Sequence, residues 1–482
     1  MIYEINTRVW LKQFSVNAKL IDVPCSYWED LKNKGFQHIW LMGIWKTVPS
    51  TIKKYCFVDG LIKEYDHALS DWKVEDVIGS PYSIDRYEIN PDIASKEEIL
   101  KLKIILNELG LKLILDFIPN HFSAETSLLV DHPDLFLKVN KDHYNEDDKT
   151  FFMSKLNNNY FAHGKDPYFE AWHDTIQVNY FNSAAHDYMK DILIQLTELC
   201  DGVRCDMAML MLNSVFSDAW QEVKSSMNYK SPKTEFWSSA ISKVKSKEKD
   251  FLFIAEAYWD LEFQLQALGF DFTYDKRLYD KLIKGNINPI YEHLIANKNY
   301  QLKSVRFIEN HDEERSAIVF RKRLKAAAVI MSTIPGMKLY FDGQFEGKKT
   351  KLLVQLGRGP KEEINLDIRS FYERLLNITK DEIFNNGEFT LLNPIQAWSD
   401  NDSHKNILSW IWNYKSQSIL VVVNYSDKSS VCRIKFEIKL PEENINLIDL
   451  LNEIDYLRSK KEIISEGLYI QLEPFESHIF SF

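Results

Sequence analysis

The run Leu111–Phe117 constrains this chain more than any other feature, because it is almost wholly apolar and follows a helical pattern that Gly110 ends. A strand that is apolar on both faces has to be covered on both, the condition of a parallel sheet flanked by helices. The helix before it is announced by Ser95-Lys-Glu-Glu98, the spacing of a capping box, and by helical apolar spacing from Ile99 to Leu109. The same alternation runs through the first part of the chain. Ile2–Asn6 reads as a strand, Ser26-Tyr-Trp-Glu29 as a capping box opening a helix that Gly35 stops, and His38–Met42 as a buried strand. Gly202–Cys205, Phe251–Ala255, Gly269–Phe272, Ser304–Ile308 and Lys338–Phe341 complete a set of eight, with helical segments between most of them. Eight parallel strands alternating with helices close a (β/α)8 TIM barrel, so the expected class is α/β.

Two stretches depart from the alternation. From Phe122 to Asp187 the chain is rich in Asn, Asp, His and aromatics and lacks long periodicity. A structureless connection of that length is rare in a compact domain, so 122–187 is expected to be a small inserted subdomain with a functional role. After Ile383 the pattern turns to short alternating runs, Ile407–Trp412, Ile419–Val423, Val431–Ile438, Leu468–Leu472 and Ser477–Phe482. These predict an antiparallel β-sandwich over 383–482, leaving 1–121 and 188–382 to the barrel.

Composition narrows the function. A net charge of −11 argues against a nucleic-acid binder that works by neutralising phosphates. No run approaches the roughly 18 apolar residues of a membrane span, so no membrane partner is expected. The start, MIYEINTRVWL, lacks the pattern of a secretory signal, and the 5 cysteines include no Cys-x-x-Cys pair. Both point to a reducing, cytoplasmic setting. Most of the aromatics, 13% of the chain, are expected to be core.

A barrel of this kind carries its chemistry at the C-terminal ends of its strands. Four of those ends carry acids: LILDFIPNH gives Asp116, Asn120 and His121; DGVRCDMAML gives Arg204 and Asp206; FLFIAEAYW gives Glu256; and SVRFIENHDEER gives Asn310, His311 and Asp312. One acid after a strand is readily explained as a helix cap. Several converging on one rim repel each other without structural return. Glycoside hydrolysis uses such a set, with one carboxylate against the anomeric carbon and one carboxylic acid that protonates the leaving oxygen. Arg204 lies two residues before Asp206, and strand spacing puts both side chains on one face.

These four segments resemble the four signature regions of the α-amylase family of glycoside hydrolases, in the same order and on the corresponding strands. Gly79–Asp92 and Ile334–Gly347 are similar to further stretches of that family. The resemblance implies a retaining enzyme acting on α-glucosidic bonds of α-glucans or oligosaccharides. In it Asp206 is the nucleophile, Glu256 the general acid/base, and Asp312 the third acid, binding sugar hydroxyls. It further implies that Arg204 holds Asp206, that Asp116 braces Arg204, that His121, Asn310 and His311 meet the sugar, and that Tyr82 stacks beneath it. Asn120 matches a calcium-ligand position in some members; no cofactor is otherwise required. Departures also show. Met209 and Leu210 stand where many members carry a Lys-His pair, which predicts a less polar subsite beyond the scissile bond. Ser83 stands where exo-acting glucosidases tend to carry Asp. Transglycosylation or sugar isomerisation, as in trehalose-synthase-like relatives, is the alternative reading, and a non-catalytic amylase-like scaffold or a metal-dependent barrel hydrolase ranks below it. Glu313, Glu314 and Arg315 read as a solvated helix start, and most aromatics of Tyr160–Tyr180 as subdomain core.

Overall fold

The computed structural model describes residues 1–437 and 443–482. Its centre is a closed barrel of parallel strands, β1 (Ile2–Asn6), β2 (His38–Met42), β3 (Lys112–Phe117), β4 (Gly202–Cys205), β5 (Leu252–Ala255), β6 (Phe272–Tyr274), β7 (Ser304–Arg306) and β8 (Met337–Phe341), with β8 pairing back onto β1. Strand order around the barrel follows chain order, the expected (β/α)8 arrangement.

Local sequence explains where most elements start and stop. Ser95 Oγ accepts the Glu98 backbone N–H (3.2 Å) while Glu98 Oε2 accepts that of Ser95 (2.7 Å), and helix Lys96–Glu108 runs from this box. Gly110, at φ +72°, then turns the chain so that the Leu111 N–H reaches the Leu106 carbonyl and β3 can begin. The box expected at Ser26 does not form. Pro24 occupies the N-cap, so the helix spans Cys25–Asn33 and Ser26 already lies inside it. The sixth strand starts at Phe272 rather than Gly269, because Gly269, at φ +112°, makes the turn out of helix Glu262–Ala267.

Between β3 and the long helix Ser183–Leu199, the chain forms two small antiparallel sheets. One pairs His121–Ser123 with Thr175–Gln177; the other joins Lys138–Val139, Phe151–Met153 and Tyr160–Ala162. The helix start at Ser183 falls just ahead of the expected boundary at 187. Phe161 and Tyr180 are core, whereas Tyr168 and Phe169 are 68% and 74% exposed.

The C-terminal part is antiparallel. β9 (Glu388–Leu392), β10 (Ile407–Tyr414), β11 (Gln417–Asn424), β12 (Ser430–Ile434), β13 (Asn444–Asp449), β14 (Ile454–Ser459), β15 (Leu468–Leu472) and β16 (Ser477–Ser481) form one sheet in the order β9-β10-β11-β16-β13-β14 and a second from β12 and β15. Cys432, Ile434, Leu468 and Ile470 of the small sheet pack on Ile411, Leu420 and Val422 of the large one. The strand expected at Val431–Ile438 runs from Ser430 to Ile434; residues 435–437 are not in a strand, and Ile438 lies outside the described residues. β9, β13 and β14 escaped the sequence reading: β9 and β14 bury little of either face, and polar Asn444, Asn446 and Asp449 interrupt the apolar run of β13. The other face of the large sheet covers the barrel, where Trp412 Nε1–H donates to the Thr333 carbonyl (2.7 Å). No helix among the described residues is long and apolar enough to cross a membrane.

Candidate active site

Register places the acids. Arg204 on β4 lies opposite Asp116 on β3, and Cys205 lies opposite Ala255, so Asp206 and Glu256 emerge side by side, one residue past adjacent strands. The ladder continues through both: the Asp206 N–H donates to the Phe117 carbonyl (2.8 Å), and that of Glu256 to Cys205 (3.0 Å). Backbone bonding thus fixes both carboxylates at their roots. His311 and Asp312 follow β7, and Tyr82 comes from the loop before strand Ile84–Ile89.

Arg204 is the centre of the cluster. It is 1% exposed, its Nη1 donates to Asp206 Oδ1 at 2.7 Å, and its Nη2 ion-pairs with Glu256 Oε2 at 2.9 Å. Asp116 Oδ1 lies 3.6 Å from Nη1 and Asp312 Oδ2 4.0 Å from Nη2. Trp40, Tyr82 and Tyr274 surround the guanidinium, with ring centroids 5.2 to 5.8 Å from its carbon. Burial works against this cation, but Glu256 and its other neighbours hold its pKa well above the usual arginine value. One delocalised cation shared among four carboxyl groups keeps neighbouring acids from expelling one another.

The acids are tuned apart. Burial pushes Glu256 up to about 7, against the opposing pull of Arg204 and with Asp206 and Asp312 adding to the rise. Its Oε2 also accepts the Met207 N–H (2.6 Å), and Tyr258 Oη–H donates to Oε1 (2.8 Å). Burial raises Asp206 as well, while the Arg204 charge and hydrogen bond oppose it. Asp116 is raised to about 7, first by burial, although Arg204 lowers it and the Gly43 N–H reaches its Oδ2 (3.2 Å). Asp312 runs the other way: desolvation opposes ionisation, but His311 holds it down at about 2. Its side chain is 44% exposed, so this acid faces the open cleft.

His311 bridges the cluster to β1. Its Nδ1 meets Glu4 Oε1, and its Nε2 meets Tyr82 Oη (2.7 Å) and Asp312 Oδ2 (3.0 Å). The Tyr82 ring stacks on the imidazole at 5.5 Å and 22°. His121 is different: burial lowers it to about 4, so it is neutral, packed against Trp172 at 5.2 Å. Asn310 uses its Oδ1 to hold the Asp312 and Glu313 N–H groups (2.9 Å each), shaping the turn that presents Asp312. All nine residues singled out from sequence therefore lie at one end of the barrel. The reading missed Glu4, Trp40, Trp172, Tyr258 and Tyr274. Glu4 had a signal, a carboxylate inside the apolar run of β1, whereas Tyr258 and the Trp residues look in sequence like ordinary core.

Two local expectations are corrected. Arg315 is not solvated; it is 3% exposed and ion-pairs with buried Glu309 at 3.2 Å, and Glu313 reaches Lys276 (3.0 Å). Met209 and Leu210 lie buried in a 3₁₀ turn, Ala208–Met211, and do not line the cleft. Met207 and Tyr258, which both hydrogen-bond Glu256, instead line with Trp259 and Phe169 a cavity of about 460 Å³ whose rim mixes cations such as Lys276 and Arg277 with acids such as Asp260 and Asp280. Met207, Trp259 and Asp260 have φ of 43°, 61° and 65°, left-handed backbone that side chains rarely adopt and that concentrates at functional sites. At Met207 this turn aims the N–H at Glu256.

The residues around Asn120 do not fit calcium. Gln177 Nε2 donates to both the Asn120 Oδ1 and its backbone oxygen (2.9 Å each), putting donor hydrogens where a cation needs free lone pairs. Calcium takes six to eight oxygens. Among the described residues no group of three or more His, Cys, Asp or Glu could hold a metal. Treatment with EDTA is therefore expected to leave activity and Tm unchanged; a fall in Tm that added calcium restores would overturn this.

The model of the alpha-amylase catalytic domain matches residues 28–410. Alpha-amylase 2 of Dictyoglomus thermophilum is 25% identical over 378 residues, covering 72% of this chain, and the match spans 58% of that relative's length. Among solved structures, an alpha-amylase from Lactobacillus plantarum superposes with a TM-score of 0.69 at 18% identity, covering 100% of this chain and 98% of that one. The maltogenic alpha-amylase AmyB from Thermotoga neapolitana gives 0.68 at 22%, with the same coverage.

Proposed function

Because the chain belongs to the α-amylase family, we propose that it is a retaining glycoside hydrolase that cleaves α-glucosidic bonds of glucans or oligosaccharides through a covalent glycosyl-enzyme. The observation that carries this reading is the single buried guanidinium of Arg204 between Asp206 and Glu256, on adjacent strand ends, with Glu256 poised near neutrality. Adjacent strand ends and a shared guanidinium support the nucleophilic route, in which the two carboxyl groups stand about 5–5.5 Å apart, over direct inversion, which needs a wider gap for water.

In the first step Asp206 Oδ attacks the anomeric carbon as the bond to the leaving oxygen breaks, and Glu256 gives that oxygen its proton. The charge developing on the ring meets ionised Asp312 and Asp206. In the second step ionised Glu256 takes a proton from water, whose oxygen attacks the same carbon and releases Asp206. Two inversions restore the α configuration. Neutral His121 and the His311–Tyr82 pair offer donors and a flat face to the sugar. The leaving group departs on the Glu256 side, toward the wall of Met207, Tyr258 and Trp259, which also lines a neighbouring cavity. The intact acid set speaks against a non-catalytic scaffold.

Transfer to a sugar acceptor is the second reading. It is favoured by that aromatic wall, where Trp259 meets exposed Tyr168 edge-on at 4.9 Å and gives an acceptor sugar apolar surface to rest against. Proton NMR of the first product from maltose, maltotriose and soluble starch tests both. Glucose or a malto-oligosaccharide is expected as the α-anomer before mutarotation. A β-anomer formed first would overturn retention, and products longer than the substrate, growing with acceptor concentration, would favour transfer.

A further inference from the structure

Glu4 lies on β1 at 0% exposure, a carboxylate committed to the barrel interior behind the sugar face. Its Oε1 accepts the His311 backbone N–H (3.3 Å) and faces Nδ1 of the same residue, while its Oε2 is buried without a hydrogen bond. On the other side of the ring, Nε2 faces Asp312 Oδ2 and Tyr82 Oη. A neutral imidazole has one N–H and one lone pair; with Nδ1–H on Glu4, the Nε2 lone pair can accept from Tyr82 Oη–H but then faces the Asp312 carboxylate, 3.0 Å away, with no hydrogen between them. Only the imidazolium donates to both sides.

We infer that Glu4 is a positioning residue for the proposed reaction, holding His311 as a cation that in turn fixes Asp312 and Tyr82 against the sugar. This rests on the reading of the site given above. Glu4 touches no substrate; it acts through His311. The charged and titratable groups facing the imidazole are Glu4 from β1, Tyr82 from its loop, Asp116 from β3, Asp206 beyond β4 and Asp312 beside it. Trp40 closes the remaining side with its edge, 5.5 Å away. Beyond these, Arg204 and Lys351 face Asp312, and Tyr274 faces Glu4. Burial disfavours the imidazolium, but Asp312 and Glu4 raise His311 well above its ordinary value. With Glu4 neutral, one of the two carboxylates that stabilise the cation is gone, and His311 loses its proton at a lower pH.

The test has two arms on the full chain. In the native protein, the His311 imidazole resonance, identified by its absence in His311→Asn, is expected to show no titration up to about pH 8. In Glu4→Gln, which keeps the shape of the side chain, its midpoint is expected to fall by about 1–3 pH units. Glu4→Gln is also expected to lose about tenfold in kcat/KM at pH 8 yet recover most of it near pH 5.5, where the imidazole recharges, and Glu4→Asp is expected to keep the native profile. A packing role alone would lower activity equally at all pH. Native His311 titrating near its ordinary value, or a Glu4→Gln profile parallel to native, would overturn the inference. Native titration near the ordinary value overturns it even if Glu4→Gln does not fold, and Glu4→Asp, with the carboxylate kept, then supplies the comparison of profiles. If no glycoside is cleaved, the proposed function fails, while the His311 midpoints in the native protein and in Glu4→Gln still test whether Glu4 holds the imidazole charged.

Discussion

Asp206→Asn is expected to lower kcat/KM on an α-glucoside by at least about 10⁴-fold, the scale on which removing a catalytic nucleophile falls. Asn has the shape of Asp and still presents an oxygen to Arg204, so the barrel end should remain assembled. What is lost is the negative charge that, in the proposed mechanism, forms the bond to the anomeric carbon. Arg204 keeps Glu256 at 2.9 Å and Asp116 at 3.6 Å, so it is not left unpaired. The variant should therefore still bind malto-oligosaccharides by calorimetry while releasing no sugar. Turnover within tenfold of native would remove Asp206 from the nucleophile's place.

Glu256→Gln is expected to reduce kcat/KM on maltotriose by about 10²–10⁴-fold, the usual contribution of general acid–base catalysis. The loss should shrink to a small factor on α-glucosyl fluoride in the first step, because fluoride leaves without a proton. The pH dependence gives an independent sign. Glu256 must be protonated to act as the acid, and burial has moved its pKa up to about 7. Native kcat/KM should therefore fall as pH rises through about 7, and fall again at low pH as Asp206 takes up a proton. In Glu256→Gln the high-pH limb assigned to this group should vanish. If the limb stays where it was, another group is the acid, and Asp116, also raised to about 7, becomes the first to replace.

Much of the arrangement was legible from local chemistry. The apolar runs at β1, β2 and β4 predict their strands to the residue, because a strand covered on both faces has no other way to hide its side chains. The acids were legible for the opposite reason: a carboxylate at the end of such a run has no packing role there. The failures are equally physical. Ser26 has the spacing of a cap, but Pro24 already presets the entry to that helix. Met209 and Leu210 sit close to Asp206 in sequence, yet the turn after β4 rotates them into the core and leaves Met207 beside Glu256. Arg315 looks solvated beside two glutamates until Glu309, six residues back, draws it inward.

What the linear chain determined alone is which chemistry is available: strand ends bearing Asp206, Glu256 and Asp312, and an arginine in phase with the first of them. Only the folded barrel decided how each group is charged. Protonation depends on burial and on neighbours brought from distant strands, and neither is a property of sequence spacing. Glu4 and His311 are separated by 307 residues and meet because β1 and β7 both flank β8 in the closed barrel. Asp312 is held low because His311 faces it at an open cleft, while Glu256 is pushed up to about 7 because it is buried, with Asp206 and Asp312 adding to the rise.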